Sequence, residues 1–216
     1  SYTDKIEARL KNIETGVKAG FKPASTASII DPSKDYIDFI EKTIDLNKIK
    51  SMDELIIVDV SLPLSPLFAG SLNLGTTIHA IVVMNGYAYV ATDDNARELT
   101  VIDVLNPQTA AMIGWFNSPG GANGDTVAGF GATVILGTLA TGDFHVINVS
   151  DPSFPVEIGY YNASDDIRDI ALGNRNRYVF LATDANNAEL QIVDIFILST
   201  PVRIGTFNIT GSNDLN

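Results

Sequence analysis

The chain of 216 residues holds only two histidines, and the spacing around one of them points to a possible site. When the sequence is aligned on its own repeating pattern, allowing for a longer turn over Gly173–Arg177, His79, Asp125 and Arg168 fall at one position. A base, an acid and a fixed cation on one rim could bind an anionic or polar ligand, or hold a water for general acid–base work. The plainer expectation is a solvated rim on which Asp125 and Arg168 form a salt bridge. His145 stands where the other copies of the pattern have Ile56, Thr100 and Gln191. Such variation at one position marks an ordinary packed or edge residue.

Two short segments, Asp93-Asp94-Asn95 and Asp184-Ala185-Asn186-Asn187, offer hard oxygen ligands of the kind Ca²⁺ takes. They fall at hairpin turns, where Asp and Asn are favoured for backbone reasons alone, so no metal site is assigned. Asp59, Asp103 and Asp194, with Asn148 in the same slot, recur at a strand end and are expected to accept hydrogen bonds from the backbone of the next connection. The sequence contains no phosphate loop, nucleophile elbow, His-Glu-x-x-His pair or dinucleotide fingerprint. Gly120–Gly124 is glycine-rich but lacks the lysine and the following helix that phosphate binding needs. No cofactor is assigned. With no cysteine, thiol chemistry, disulfides and cysteine-held metals are excluded.

The elements that must position these residues come from an internal repeat. ELIIVDV from Glu54 returns as ELTVIDV from Glu98, DFHVINV from Asp143 and ELQIVDI from Glu189. Each copy is followed by an aliphatic–Gly step: Ala69-Gly70, Ile113-Gly114, Ile158-Gly159 and Ile204-Gly205. The clearest unit reads as four strands, Ile78–Met84, Tyr87–Thr92, Glu98–Val104 and Met112–Asn117. The first two are joined by Asn85-Gly86, the strongest short hairpin signal. The third strands are apolar on both faces, which places each sheet between two others. Four-stranded antiparallel units of this length, packed face to face, are the blades of a β-propeller.

The third-strand motif, the preceding YAYVAT (Tyr87 to Thr92) and the following SDPSFPVEIG (Ser150 to Gly159) resemble the LVIVD-repeat family of β-propeller-like proteins over residues 54–216. The resemblance implies a surface or secreted protein in which the repeat is a structural or interaction module, with no shared catalytic chemistry. The expected fold is mostly β, a propeller-like array with about 3.5 blades visible. Copies start near 54, 98, 143 and 189, after an N-terminal helical segment over 1–53.

That segment differs in charge as well. It carries nine of the 14 basic residues and nine acids, whereas residues 54–216 carry five Arg and 17 acids, which accounts for the net charge of −12. An acidic surface without lysine excludes nucleic acid as a partner. No apolar run approaches the ~20 residues of a membrane helix. Ile6, Leu10, Ile13 and Val17 form a narrow apolar stripe on an expected helix over 3–18, suited to a helix–helix contact and to assembly with other chains. A second short helix is expected around Ile37, Ile40 and Ile44. The chain opens on Ser1 with no signal-peptide pattern, as a processed or trimmed N-terminus would. Three N-x-S/T triplets, at Asn148, Asn162 and Asn208, are compatible with glycosylation and do not argue for it.

These readings lead to an extracellular or cell-surface interaction module that self-associates or binds other surface proteins, as a homo-oligomer, within a longer chain, or as a subunit of a surface filament. The contrasting expectation is a hydrolase or lyase whose site lies at the channel mouth, with His79 as base.

Overall fold

Short β-branched runs separated by Asn, Asp, Gly and Pro make strands of the described elements, apart from the short 3-10 turns Pro107–Thr109 and Asn174–Asn176. The computed structural model describes residues 53–62, 65–139 and 142–208. The expected helices before residue 53, and the stripe Ile6, Leu10, Ile13 and Val17, lie outside the described residues. The first sheet pairs β1 (Glu54–Asp59) with β2 (Leu67–Asn73). The second runs in order β3 (Ile78–Met84), β4 (Tyr87–Thr92), β5 (Leu99–Asp103) and β6 (Ala111–Phe116). The third is β7 (Gly124–Phe130), β8 (Thr133–Thr138), β9 (Asp143–Asn148) and β10 (Val156–Asn162). The fourth is β11 (Ile167–Gly173), β12 (Tyr178–Thr183), β13 (Leu190–Asp194) and β14 (Val202–Phe207).

All pairings are antiparallel, so three complete blades follow one half blade, as the repeat arithmetic predicts. Asn85 and Gly86 both have positive φ, 53° and 84°, the type I′ geometry whose twist matches the flanking strands. The four repeated side chains Asp59, Asp103, Asn148 and Asp194 each accept the backbone N–H two residues on, at 2.8–2.9 Å. Each of these connections is thus held by an Asx turn of its own.

Adjacent blades meet face to face. Tyr89, Leu99 and Val101 of the second sheet pack with Val134, Leu136 and Ile147 of the third. Ile135, Phe144 and Val146, on the other side of that third sheet, pack with Val179, Leu181 and Val193 of the fourth. Burial on both faces removes alternation: β8 is buried at every position, whereas β12 alternates half-buried and buried.

The aliphatic–Gly step is the joint between blades. In each sheet the residue before the glycine is an extra one, bulged out of the pairing: Ala69, Ile113, Ile158 and Ile204. The glycine that follows then presents bare backbone to the neighbour. A Cβ on Gly70 would overlap the carbonyl oxygen of Pro107, one on Gly114 that of Pro152, and one on Gly159 that of Leu198. Each of these carbonyls belongs to the connection between strands three and four of the next blade.

Candidate functional site

The first strands β3, β7 and β11 run beside one another, and each starts with a bulge. Ile78 pairs with Thr92 and Ala80 with Ala91, leaving His79 as the extra residue. Asp125 is extra between Gly124 and Thr126, and Arg168 between Ile167 and Asp169. A bulge re-aims one side chain out of the pleat. The three residues aligned in the sequence are therefore equivalent in structure, and two of them touch: His79 Nδ1 lies 3.3 Å from Asp125 Oδ1.

The expected pairing differs in one respect. Arg168 donates from Nε to Asp184 Oδ2 at 2.9 Å and from Nη2 to both Asp184 and Asp166 (3.2 Å). Asp125 acts on Arg168 only by attraction through space. The physical reason is proximity: Asp184 follows β12, the strand hydrogen-bonded to β11, and so lies beside Arg168 within one sheet. His79 makes the same contact, its Nε2 2.6 Å from Asp93 Oδ1, and Asp93 follows β4.

Sequence reasoning weighed Asp93 and Asp184 as turn residues and as oxygen ligands for a metal, and not as partners of the rim. A usable signal was present: the slot after strand two is Asp where the rim residue is His79 or Arg168, and Leu139 where it is Asp125. The next residue, Asp94, is taken up by the turn itself, accepting from Ala96 N and from the Arg97 guanidinium.

Burial holds the Asp125 carboxyl above its ordinary range, against the pull of His79 and Arg168 and with a further push from Asp166 and Asp93. With a carboxylate at each ring nitrogen, a neutral His79 can donate to only one, while a protonated ring donates to both. Nε2 hydrogen-bonds Asp93 and Nδ1 lies at ion-pair distance from Asp125, on a side chain about a quarter exposed. His145 sits in the sheet interior, 1% exposed, with Nδ1 2.6 Å from Glu157 and its ring between Phe116 and Tyr160. It is a packing residue between the second and third blades, as its variability implies.

Glu98, at the start of β5, is fully buried and accepts the Ser118 N–H at 2.9 Å. Burial pushes its carboxyl above the ordinary range, more strongly than the Ser118 bonds pull it down. Folding therefore disfavours its ionisation. The penalty is absent below the ordinary glutamate range and complete once the pH exceeds the raised folded value. Glu98→Gln keeps an acceptor for Ser118, so it should raise the melting temperature at pH 7, and the gain should vanish as the pH falls through that range. An equal gain at acid pH would contradict this assignment.

Among the described residues no helix is long and apolar enough to cross a membrane. The LVIVD repeat family matches residues 51–74, 78–118 and 139–163. No curated protein matches the chain. Among solved structures, a protein from Lactobacillus plantarum superposes with TM-score 0.61 at 8% identity, over 73% of this chain and 52% of that one. A candidate 6-phosphogluconolactonase from Bacteroides uniformis gives 0.61 at 10% identity, over 73% and 50%. A functionally unknown protein from Desulfotomaculum acetoxidans gives 0.56 at 12%, over 73% and 51%. The matched part is about half the length of each of these structural relatives, and at such identities the likeness speaks for the fold. At those three segments the chain matches the LVIVD repeat, and its described strands form the blades of a propeller-like array.

Proposed function

We propose that the chain is an extracellular or cell-surface interaction module that works by assembly with other protein surfaces, self-association into a larger surface structure or filament included, and carries out no turnover of its own. The observation that carries this reading is the state of the rim. Both ring nitrogens of His79 are engaged by Asp93 and Asp125, and Arg168 is engaged by Asp184 and Asp166. A rim whose histidine and arginine side chains are held from within favours a structural role over a base awaiting substrate. The connections between strands three and four support the same reading, since each exposes a large apolar side chain: Leu62, Leu105, Phe154 and Phe196.

The test is hydrolysis of 6-phosphogluconolactone, the substrate named for one structural relative, together with small esters and glycans. Expected is the rate of buffer alone, unchanged in His79→Ala and Arg168→Ala. A turnover that disappears in both variants would overturn the reading and install a hydrolase or lyase with His79 as base.

A further inference from the structure

Every joint between blades is made of the same two surfaces. On the following blade it is the residue after the third strand: Val149 and Ile195 are 4% and 2% exposed because the preceding blade covers them. On the leading blade it is the bulged step and the side chain two places past its glycine. Phe116 packs on His145, and the Tyr161 hydroxyl donates to Gln191 Oε1 at 2.7 Å. The first and last sheets each carry one of these surfaces uncovered. Val60 occupies the place of Val149 and Ile195 and is 57% exposed; Phe207 occupies the place of Phe116 and Tyr161 and is 60% exposed. Ile204 is 55% exposed, and a Cβ on Gly205 would first meet Ile192 of its own sheet, at 3.5 Å.

The grooves beside the joints show the same contrast. The groove at the first joint lies between Asp59, Leu67 and Ala69 on one wall and Asn106-Pro107-Gln108 of the next blade on the other. The groove on the last sheet is lined by the matching residues Asp194, Val202 and Ile204, with Arg177 and Phe196, and among the described residues it has no second wall like that of the first joint.

We propose that the β13–β14 face docks on the β1–β2 sheet of a second copy of this chain, head to tail, at a joint built like those inside it. This rests on the assembly reading above and names its partner. On the strands that would meet, residues 53–73 carry Asp53, Glu54 and Asp59 and no basic residue, whereas β14 carries an exposed Arg203 and no acid. Two copies of the described three and a half blades make seven, within the four to eight at which blade rings close. Such a contact is heterologous, with different patches on the two copies.

The experiment measures the molar mass of the full chain by light scattering. The wild type should run at twice the monomer mass. Gly205→Trp, which blocks the last sheet, and Val60→Glu, which blocks the first, should each be monomeric with wild-type β circular dichroism, since Val60 is exposed and half-buried Gly205 faces no neighbouring backbone within a single chain. Mixed in equal amounts the two variants should recover a dimer, because each keeps the surface the other has lost. A monomeric wild type at high concentration, a dimer that survives either substitution, or a mixture that stays monomeric would each overturn the proposal. None of these outcomes touches the non-catalytic reading, which the lactone and ester assays decide.

Discussion

Gly159→Ala should cost at least about 2 kcal/mol of unfolding free energy, although it adds a single methyl group. That methyl would overlap the Leu198 carbonyl oxygen and crowd the Ser199 Cα. Both are backbone atoms of a connection fixed by the Asp194 Asx turn, so no side chain can swing aside. The blades would have to separate locally, exposing the surfaces that bury Phe144 and Val146. The internal control is Gly205→Ala. There the new methyl meets Ile192 at ordinary contact distance, and the stability of a single chain should change by no more than about 1 kcal/mol. Urea unfolding of the two variants measures the difference. Equal effects would mean that the glycine step is not the joint.

The second large effect is expected for Phe144→Ala, about 3–5 kcal/mol. Phe144 is 0% exposed, stands edge-on to Tyr161 with centroids 6.2 Å apart, and packs between the third and fourth sheets with Leu181 and Val193. Truncation removes its transfer free energy and leaves a cavity between two sheets that cannot close without moving a whole blade. Phe154→Ala is the matched surface change. Its side chain is 72% exposed, and the same loss of a ring there should stay within about 0.5 kcal/mol. The comparison is read from denaturation midpoints, and a Phe144 variant as stable as the wild type would contradict the face-to-face packing.

Much of this architecture is legible in the residues because the repeat states it four times. Ile78–Met84 and Tyr87–Thr92 fall at the predicted bounds, since apolar alternation ends at Asn85-Gly86 and at the polar turn after Thr92. The third strand is one residue shorter at each end than Glu98–Val104: Glu98 turns inward to cap Ser118, and Val104 already belongs to the connection. What the string of letters cannot display is register. A bulge is a relation between two strands, so Ile158-Gly159 reads as a recurring pair without revealing that Ile158 is extra and Gly159 a seat for another backbone. The same limit applies to the rim. Periodicity placed His79, Asp125 and Arg168 in one row, but their partners Asp93 and Asp184 are brought in by strand pairing, and Arg168 takes the carboxylate within its own sheet over the one on the neighbouring blade.

Each repeat carries a glycine seat on one side of its sheet and, on the other, the carbonyl that fills the seat of the blade before it. A gene that duplicates or deletes one whole unit therefore hands the fold a matched joint at both new junctions, and every other contact stays as it was. A gain or loss of part of a unit brings a seat opposite the wrong backbone. Chain length in such a fold changes in whole steps of about one blade, so relatives with different numbers of blades are what the geometry lets inheritance produce.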